Sequence, residues 1–147
     1  MENSRTFTFE MRPHHCGIFV QNIESSIKWY RDMLGFTVSH RSVLAQKEKP
    51  IKVAFMKYGD FYIELFEHAD AAPFSDDIYN NTCGTKHMAF EVTGLSEIVN
   101  NLKQRGVEVM TPSLPDDMRK QNNVPKGVAF IKDNSGILIE LIEGFKP

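Results

Sequence analysis

The sequence holds only two cysteines, Cys16 and Cys83, and a single tryptophan, Trp29. Two cysteines are too few for a disulfide framework, so free thiols in a reducing cytoplasm are expected. No apolar run approaches the roughly twenty residues that a membrane-spanning helix needs. The N-terminal MENSRTFTFEMRP shows none of the basic-then-apolar layout of a secretory signal. An excess of charge of one sign is missing too, since 17 Lys and Arg against 19 Asp and Glu leave a net −2. That balance gives no electrostatic case for nucleic acid or an anionic membrane. With 41% hydrophobic and 24% charged residues over 147 positions, disordered and fibrous classes are excluded. The length suits one well-buried domain, or two small halves sharing a core.

What the sequence does contain is repetition. VAFMKYGDFYIELFE (53–67) and VAFIKDNSGILIELIE (128–143) both open with Val-Ala-Phe, carry Lys two residues on, and close with Ile-Glu-Leu-x-Glu. The second copy is one residue longer, and the extra residue falls in a Gly-containing turn, where a hairpin absorbs it without changing strand faces. Upstream of each hairpin lies a helical pattern: Ile23, Ile27, Tyr30 and Leu34 ending at Gly35, and Leu95, Ile98, Val99 and Leu102 with Ser96 near the start and Gly106 at the stop. Each helix is followed by an alternating stretch, FTVSH (36–40) or VEVM (107–110), and preceded by a histidine phrase, PHHCGIFV (13–20) or KHMAFEV (86–92).

Each half therefore reads strand, helix and three strands. The predicted organisation is an N-terminal arm over 1–12, a first βαβββ module over 13–67, a turn-rich linker over 68–84, and a second module over 85–144. The stretch 113–125 reads as a long loop of the kind that is often functional, and TFTFE near the N-terminus as an edge strand or arm.

Alternation along a strand assigns faces. Tyr62, Glu64 and Phe66 share one face of the first closing strand, and Leu138, Glu140 and Ile142 share the corresponding face of the second. Glu64 and Glu140 thus lie among apolar neighbours, where a carboxylate requires a cation, a donor or a proton. Glu67 and Glu143 read as ordinary exposed strand ends. His87 lies five residues before Val92 and His15 five before Val20, so His15, and not His14, is the partner of His87 in the repeat. His14 is expected on the opposite face, as a surface or packing residue. A single strand histidine is more often a packing residue than a ligand. Here His15, Glu64, His87 and Glu140 all occupy repeat-equivalent positions, and two halves packed about a pseudo-twofold axis would offer two imidazoles and two carboxylates. That donor set suits one divalent ion, zinc, nickel, cobalt or manganese, and less readily ferrous iron.

With HHCGIFVQNIESSIKWYRDMLGF, YIELFE, KHMAFEV and AFIKDNSGILIELIE in place, residues 13–143 resemble the vicinal oxygen chelate superfamily. That group includes glyoxalase I, methylmalonyl-CoA epimerase, fosfomycin-resistance proteins and extradiol dioxygenases. The resemblance implies an α+β fold of two tandem βαβββ modules forming an incomplete mixed β-barrel around a metal (the glyoxalase/bleomycin resistance/dioxygenase fold), and a homodimer. It places the ligands at His15, Glu64, His87 and Glu140. The shared chemical step of the glyoxalase and epimerase branches is polarisation of a carbonyl by the ion while a carboxylate, Glu64 or Glu140, moves the proton on the adjacent carbon. An extradiol dioxygenase needs a two-His, one-carboxylate triad with three open positions on iron, one of which Glu64 would fill.

A glyoxalase I-like lyase or isomerase acting on a small thiol adduct, thioester or related carbonyl compound is thus the leading expectation, with a methylmalonyl-CoA epimerase-like isomerase as the alternative. Phe19 stands where bacterial glyoxalase I carries an arginine for glutathione, so glutathione is not the expected thiol. Glu48 matches an epimerase segment as a second base, against an ordinary solvated reading of the charged KEKPIK stretch. Arg119 and Lys120 are candidates for an anionic substrate group. A metal-free binding or resistance protein, sheltering an aromatic ligand with Phe19, Tyr62, Phe66 and Trp29, is the reading from a different class.

Overall fold

The computed structural model describes residues 11–45, 49–68, 70–72, 83–112 and 126–145. Glu48, Arg119 and Lys120, the TFTFE stretch and 113–125 lie outside them. The elements run β1 (His15–Val20), α1 (Ile23–Leu34), β2 (Thr37–Leu44), β3 (Ile51–Tyr58), β4 (Phe61–Glu67), then β5 (Met88–Glu91), α2 (Leu95–Gln104), β6 (Val109–Met110), β7 (Gly127–Lys132) and β8 (Leu138–Glu143). They form two four-stranded sheets with equivalent strand orders, β1-β4-β3-β2 and β5-β8-β7-β6. In each sheet the first and last strands of the module pair in parallel and the remaining pairs are antiparallel. The α+β fold of two βαβββ modules expected from the repeat is present.

The helices form where the apolar spacing requires. In α1, Ile23, Ile27 and Tyr30 are buried, Asn22 Oδ1 accepts the Ser25 N–H at 2.9 Å as N-cap, and Gly35 closes the helix at φ 75°. That left-handed backbone carries no steric penalty for glycine. In α2, Leu95, Val99 and Leu102 are buried, and the N-cap is Gly94, which supplies no side chain. Ser96 is the second helical residue and makes no capping bond.

The end of α2 is held instead by Glu143, whose Oε1 accepts the Gly94 N–H at 2.7 Å. Glu67 does the same for α1, with Oε2 accepting the Ile23 N–H at 2.7 Å and Oε1 pairing with Lys52 Nζ at 2.6 Å. The two glutamates are therefore not the loose strand ends that alternation suggests. Parallel pairing sets Val20 opposite Glu67 and Glu91 opposite Ile142, so each closing strand ends beside a helix N-terminus. There a carboxylate meets orphan N–H groups and the positive end of the helix dipole. The Ile23 N–H, and then Lys52, hold the Glu67 carboxyl below its ordinary range.

The two modules share one hydrophobic core, running from Val20, Ile27, Tyr30, Phe36, Ile63 and Leu65 into Met88, Leu102, Ile131, Ile139 and Leu141. Phe90 of β5 packs edge-on to Phe36 and Phe61, with centroids 6.0 and 5.7 Å apart. The extra residue of the second hairpin takes part in this union. Tyr58 pairs with Phe61 around Gly59 and Asp60, whereas the Asp133 N–H bonds Ile137 O across three residues. The longer turn reaches α1 and the residues before it: Tyr30 Oη donates to Asp133 Oδ2 at 2.9 Å, Ser26 Oγ to Asn134 Oδ1 at 3.1 Å, and the Gln21 N–H to Ser135 Oγ at 3.3 Å. Asp133 Oδ1 accepts the Ser135 and Ile137 N–H groups at 2.8 Å each. Burial pushes the Tyr30 hydroxyl well above its ordinary value, and Asp133 raises it further.

Two outcomes follow from these anchors. Tyr30→Phe removes the donor to a buried carboxylate oxygen and is expected to cost about 1–3 kcal/mol in urea unfolding. Glu67→Gln is expected to cost about 1 kcal/mol near neutral pH. The folded Glu67 carboxyl lies below its unfolded value, so its contribution is full above the ordinary glutamate range and is lost as pH falls through the folded value. The stability gap between the wild type and Glu67→Gln should therefore close on acidification.

Candidate functional site

The equivalent strand registers put one imidazole and one carboxylate together in each module. Gly17 stands opposite Glu64 in the parallel β1/β4 pair, and Ala89 opposite Glu140 in β5/β8. A small residue beside each glutamate leaves its carboxylate open to the histidine two positions earlier, at the start of β1 or just before β5. At Gly17 the space is tight, because a Cβ would lie 3.1 Å from Phe66 Cε2 and 3.8 Å from Glu64 Oε2. His15 Nε2 lies 3.1 Å from Glu64 Oε2, and His87 Nε2 lies 3.0 Å from Glu140 Oε2. The side chains are similarly placed in the two halves, with the histidines 35% and 38% exposed and both glutamates 16%.

Each pair also has an aromatic wall. Phe55 is the antiparallel partner of Glu64 and Phe130 that of Glu140. The ring of His15 stands at 80° to Phe55 with centroids 5.4 Å apart, and His87 at 74° to Phe130 at 5.6 Å. These phenylalanines end the repeated Val-Ala-Phe, so the signal for them was present in the sequence. Read as part of a core strand, that triplet gave no reason to assign them to the site. On the reverse face Ile63, Leu65 and Ile139 are fully buried and Leu141 nearly so, as alternation requires.

His14 does not point away from the site. Its Nδ1 lies 2.7 Å from His15 Nδ1, and its ring stacks on Tyr62 at 6.1 Å and 13°. Alternation fails for it because β1 begins at His15, leaving His14 outside the pleat. Tyr62 and Phe66 flank Glu64 as expected, and Phe19, 59% exposed, lies beside Phe66 and His68 at 5.8 and 6.1 Å. Lys57 Nζ sits 5.4 Å from the Tyr62 ring centroid. Trp29 packs against the hydrophobic core from α1 and stands edge-on to Tyr30. It is a packing residue.

His87 borders two cavities. One, of about 280 Å³, lies between β1 and the start of β5 and touches Cys16, Phe19, Lys86 and Ser135. The other, of about 540 Å³, lies over the second module between Met110, Phe130 and Leu138. Their largely apolar walls suit a small organic molecule with one polar end.

Imidazole nitrogen and carboxylate oxygen bind a zinc-like ion at about 2.0–2.2 Å, which sets adjacent ligand atoms about 3 Å apart at octahedral angles and about 3.4 Å apart at tetrahedral ones. The His–Glu pairs, at 3.1 and 3.0 Å, lie at the octahedral spacing, and their donor chemistry fits a divalent ion. The structure forms the two pairs separately: among the described residues no three His, Cys, Asp or Glu side chains gather closely enough to hold a metal. Each module thus brings together one imidazole and one carboxylate. In the metal-free protein, double-mutant cycles should find about 0.5–1 kcal/mol of coupling within His15/Glu64 and within His87/Glu140. Across His15/Glu140 the coupling should stay within about 0.3 kcal/mol.

Comparison with known proteins bears on the fold and the family. A mouse protein, methylmalonyl-CoA epimerase, mitochondrial, is 29% identical over 134 residues, covering 88% of this chain and 71% of its own. The lactoylglutathione lyase of Neisseria meningitidis serogroup A is 29% identical over 140 residues, covering 90% and 91% of the two chains. The crystal structure of a glyoxalase family protein from Enterococcus faecalis superposes with a TM-score of 0.70 at 25% identity, covering 90% of this chain and 97% of that one. The family model of the Glyoxalase/Bleomycin resistance protein/Dioxygenase superfamily matches residues 12–141. With nearly all of the described fold inside that match, the chain belongs to this superfamily.

Proposed function

We propose that the protein is a metal-dependent enzyme, a lyase or isomerase of glyoxalase I-like type, that moves a proton next to the carbonyl of a small thiol adduct, thioester or related compound. The observation that carries this reading is the pair of repeat-equivalent His–Glu contacts, at 3.1 and 3.0 Å. The superfamily supplies the class of chemistry, and a lyase and an epimerase stand among the relatives.

His15, Glu64, His87 and Glu140 would hold the ion, the two carboxylates offsetting its charge. When bound, the ion supplies positive charge that stabilises a carbonyl oxygen as the adjacent carbon loses its proton. The chain's own groups do the rest. Glu64 and Glu140, each 16% exposed, are short of water and able to take a proton and return it. Because they come from opposite halves, one can act on each face of the substrate carbon. Phe55 and Phe130 hold the imidazoles upright, and Tyr62, Phe66 and Phe19 offer apolar surface to the substrate body.

Phe19 favours an epimerase-like isomerase over a glutathione-dependent lyase, because an exposed ring beside Phe66 cannot pair with a glutathione carboxylate. Glu48, Arg119 and Lys120 remain candidates for a second base and an anion contact. The two pairs come together by closure of the modules of one chain or across a homodimer, which is the expected assembly. Mixing His15→Ala with His87→Ala should restore a fraction of activity only if the site is shared between chains.

The test is metal binding followed by proton exchange. The wild type is expected to retain about one Zn²⁺ or Ni²⁺ per pair of His–Glu contacts after dialysis, with His15→Ala and His87→Ala each weakening it at least tenfold. It should also catalyse solvent deuterium incorporation next to the carbonyl of an acyl-CoA or hemithioacetal, lost with the metal. A protein that keeps no divalent metal, and whose affinity His87→Ala leaves unchanged, would remove this reading.

A further inference from the structure

Residue 14 is where the two half-sites differ most. The repeat gives His15 and His87 equivalent walls and carboxylates, but different neighbours before them: His14 in the first module, Lys86 in the second. Tyr62, on which His14 stacks, likewise has Leu138 as its counterpart. His14 Nδ1 lies 2.7 Å from His15 Nδ1, so one of the two nitrogens carries the shared hydrogen. His15 Nε2 is the atom that faces Glu64. For that nitrogen to offer a lone pair to an ion, the neutral ring must carry its hydrogen on Nδ1, and Nδ1 then needs an acceptor. An imidazole can accept there. The Lys86 ammonium, a donor only, cannot.

We propose that His14 is a positioning residue for His15: when an ion replaces the hydrogen between His15 Nε2 and Glu64, His14 Nδ1 accepts the His15 Nδ1–H, fixing the tautomer that leaves the Nε2 lone pair to the ion. The ring of His14 is itself fixed by the Tyr62 face, whose other neighbour is Lys57. A hydrogen-bond acceptor behind a ligating histidine settles ring orientation and raises ligand basicity, and loss of such a partner typically weakens metal affinity by roughly 10–100-fold. The first half-site is accordingly the pre-set one. In the second the ring of His87 meets Phe130 and Glu140, and the side chain of residue 86 is an ammonium that can only donate.

This inference rests on the metal reading above, and the experiment separates the two. Zn²⁺ affinity is measured by competition with a chromophoric chelator for the wild type, His14→Phe and His14→Gln, alongside thermal unfolding of the metal-free proteins. Long-range ¹H–¹⁵N spectra of the zinc-loaded proteins read the His15 tautomer. Phenylalanine keeps the stack on Tyr62 and removes the acceptor, whereas the glutamine carbonyl restores an acceptor. The expected result is a 10–100-fold loss of affinity for His14→Phe with little change in metal-free melting. Recovery to within a few fold is expected for His14→Gln, with His15 protonated at Nδ1 in the wild type. Wild-type zinc binding with His14→Phe within about twofold of it, or with His15 bound through Nδ1, overturns the positioning role alone. A wild type that binds no zinc overturns both this role and the metal reading.

Discussion

The parallel pairing of the first and last strand in each module is the constraint on which the rest of the structure depends. A parallel pair needs a crossover, and α1 and α2 provide it. The pairing fixes two things together in each half. It sets Gly17 beside Glu64 and Ala89 beside Glu140, which opens both carboxylates to a histidine. It also brings Glu67 and Glu143 to the helix N-termini, which ties each crossover to the sheet it spans. One register thus supplies a chemical pair on the open face and an anchor for the helix. A shift by a single residue would turn the glutamates into the core and the isoleucines and leucines outward.

Duplication explains why the halves agree, and the departures from it explain how they differ. The second hairpin has one extra turn residue, and that turn, built on Asp133, grips Tyr30 and Ser26 of the first module's helix. Among the described residues no matching side-chain hydrogen bond joins the shorter Gly59–Asp60 turn to α2. The first module in turn has the His14–Tyr62 stack behind its histidine. The chain therefore has a symmetric set of His, Glu and Phe side chains within surroundings that are not symmetric.

Much of this was legible in the sequence, because strand alternation and repeat equivalence are strong constraints. The faces of β4 and β8, the pairing of His15 with His87, and the placing of the extra residue in a turn all follow from counting. What was not legible depends on contacts between elements. Glu67 and Glu143 read as exposed ends because nothing local reveals that a helix begins beside them. His14 was placed on the wrong face because the strand rule was carried one residue past the strand. Phe55 and Phe130 were visible as a repeat without a role, since only the antiparallel register shows them opposite the glutamates. Trp29 was a candidate for a ligand cavity on composition alone, and its place on α1 turns it into the core.

The central claim is that two half-sites, each one imidazole and one carboxylate, serve one ion. The most direct measurement is X-ray absorption at the zinc edge of the metal-loaded protein, compared with His15→Ala and His87→Ala. The expected result is a nitrogen and oxygen shell at about 2.0–2.2 Å containing two imidazoles and no sulfur, falling to one imidazole in each variant. A wild-type shell with one imidazole or none, or a shell unchanged by either substitution, would contradict it.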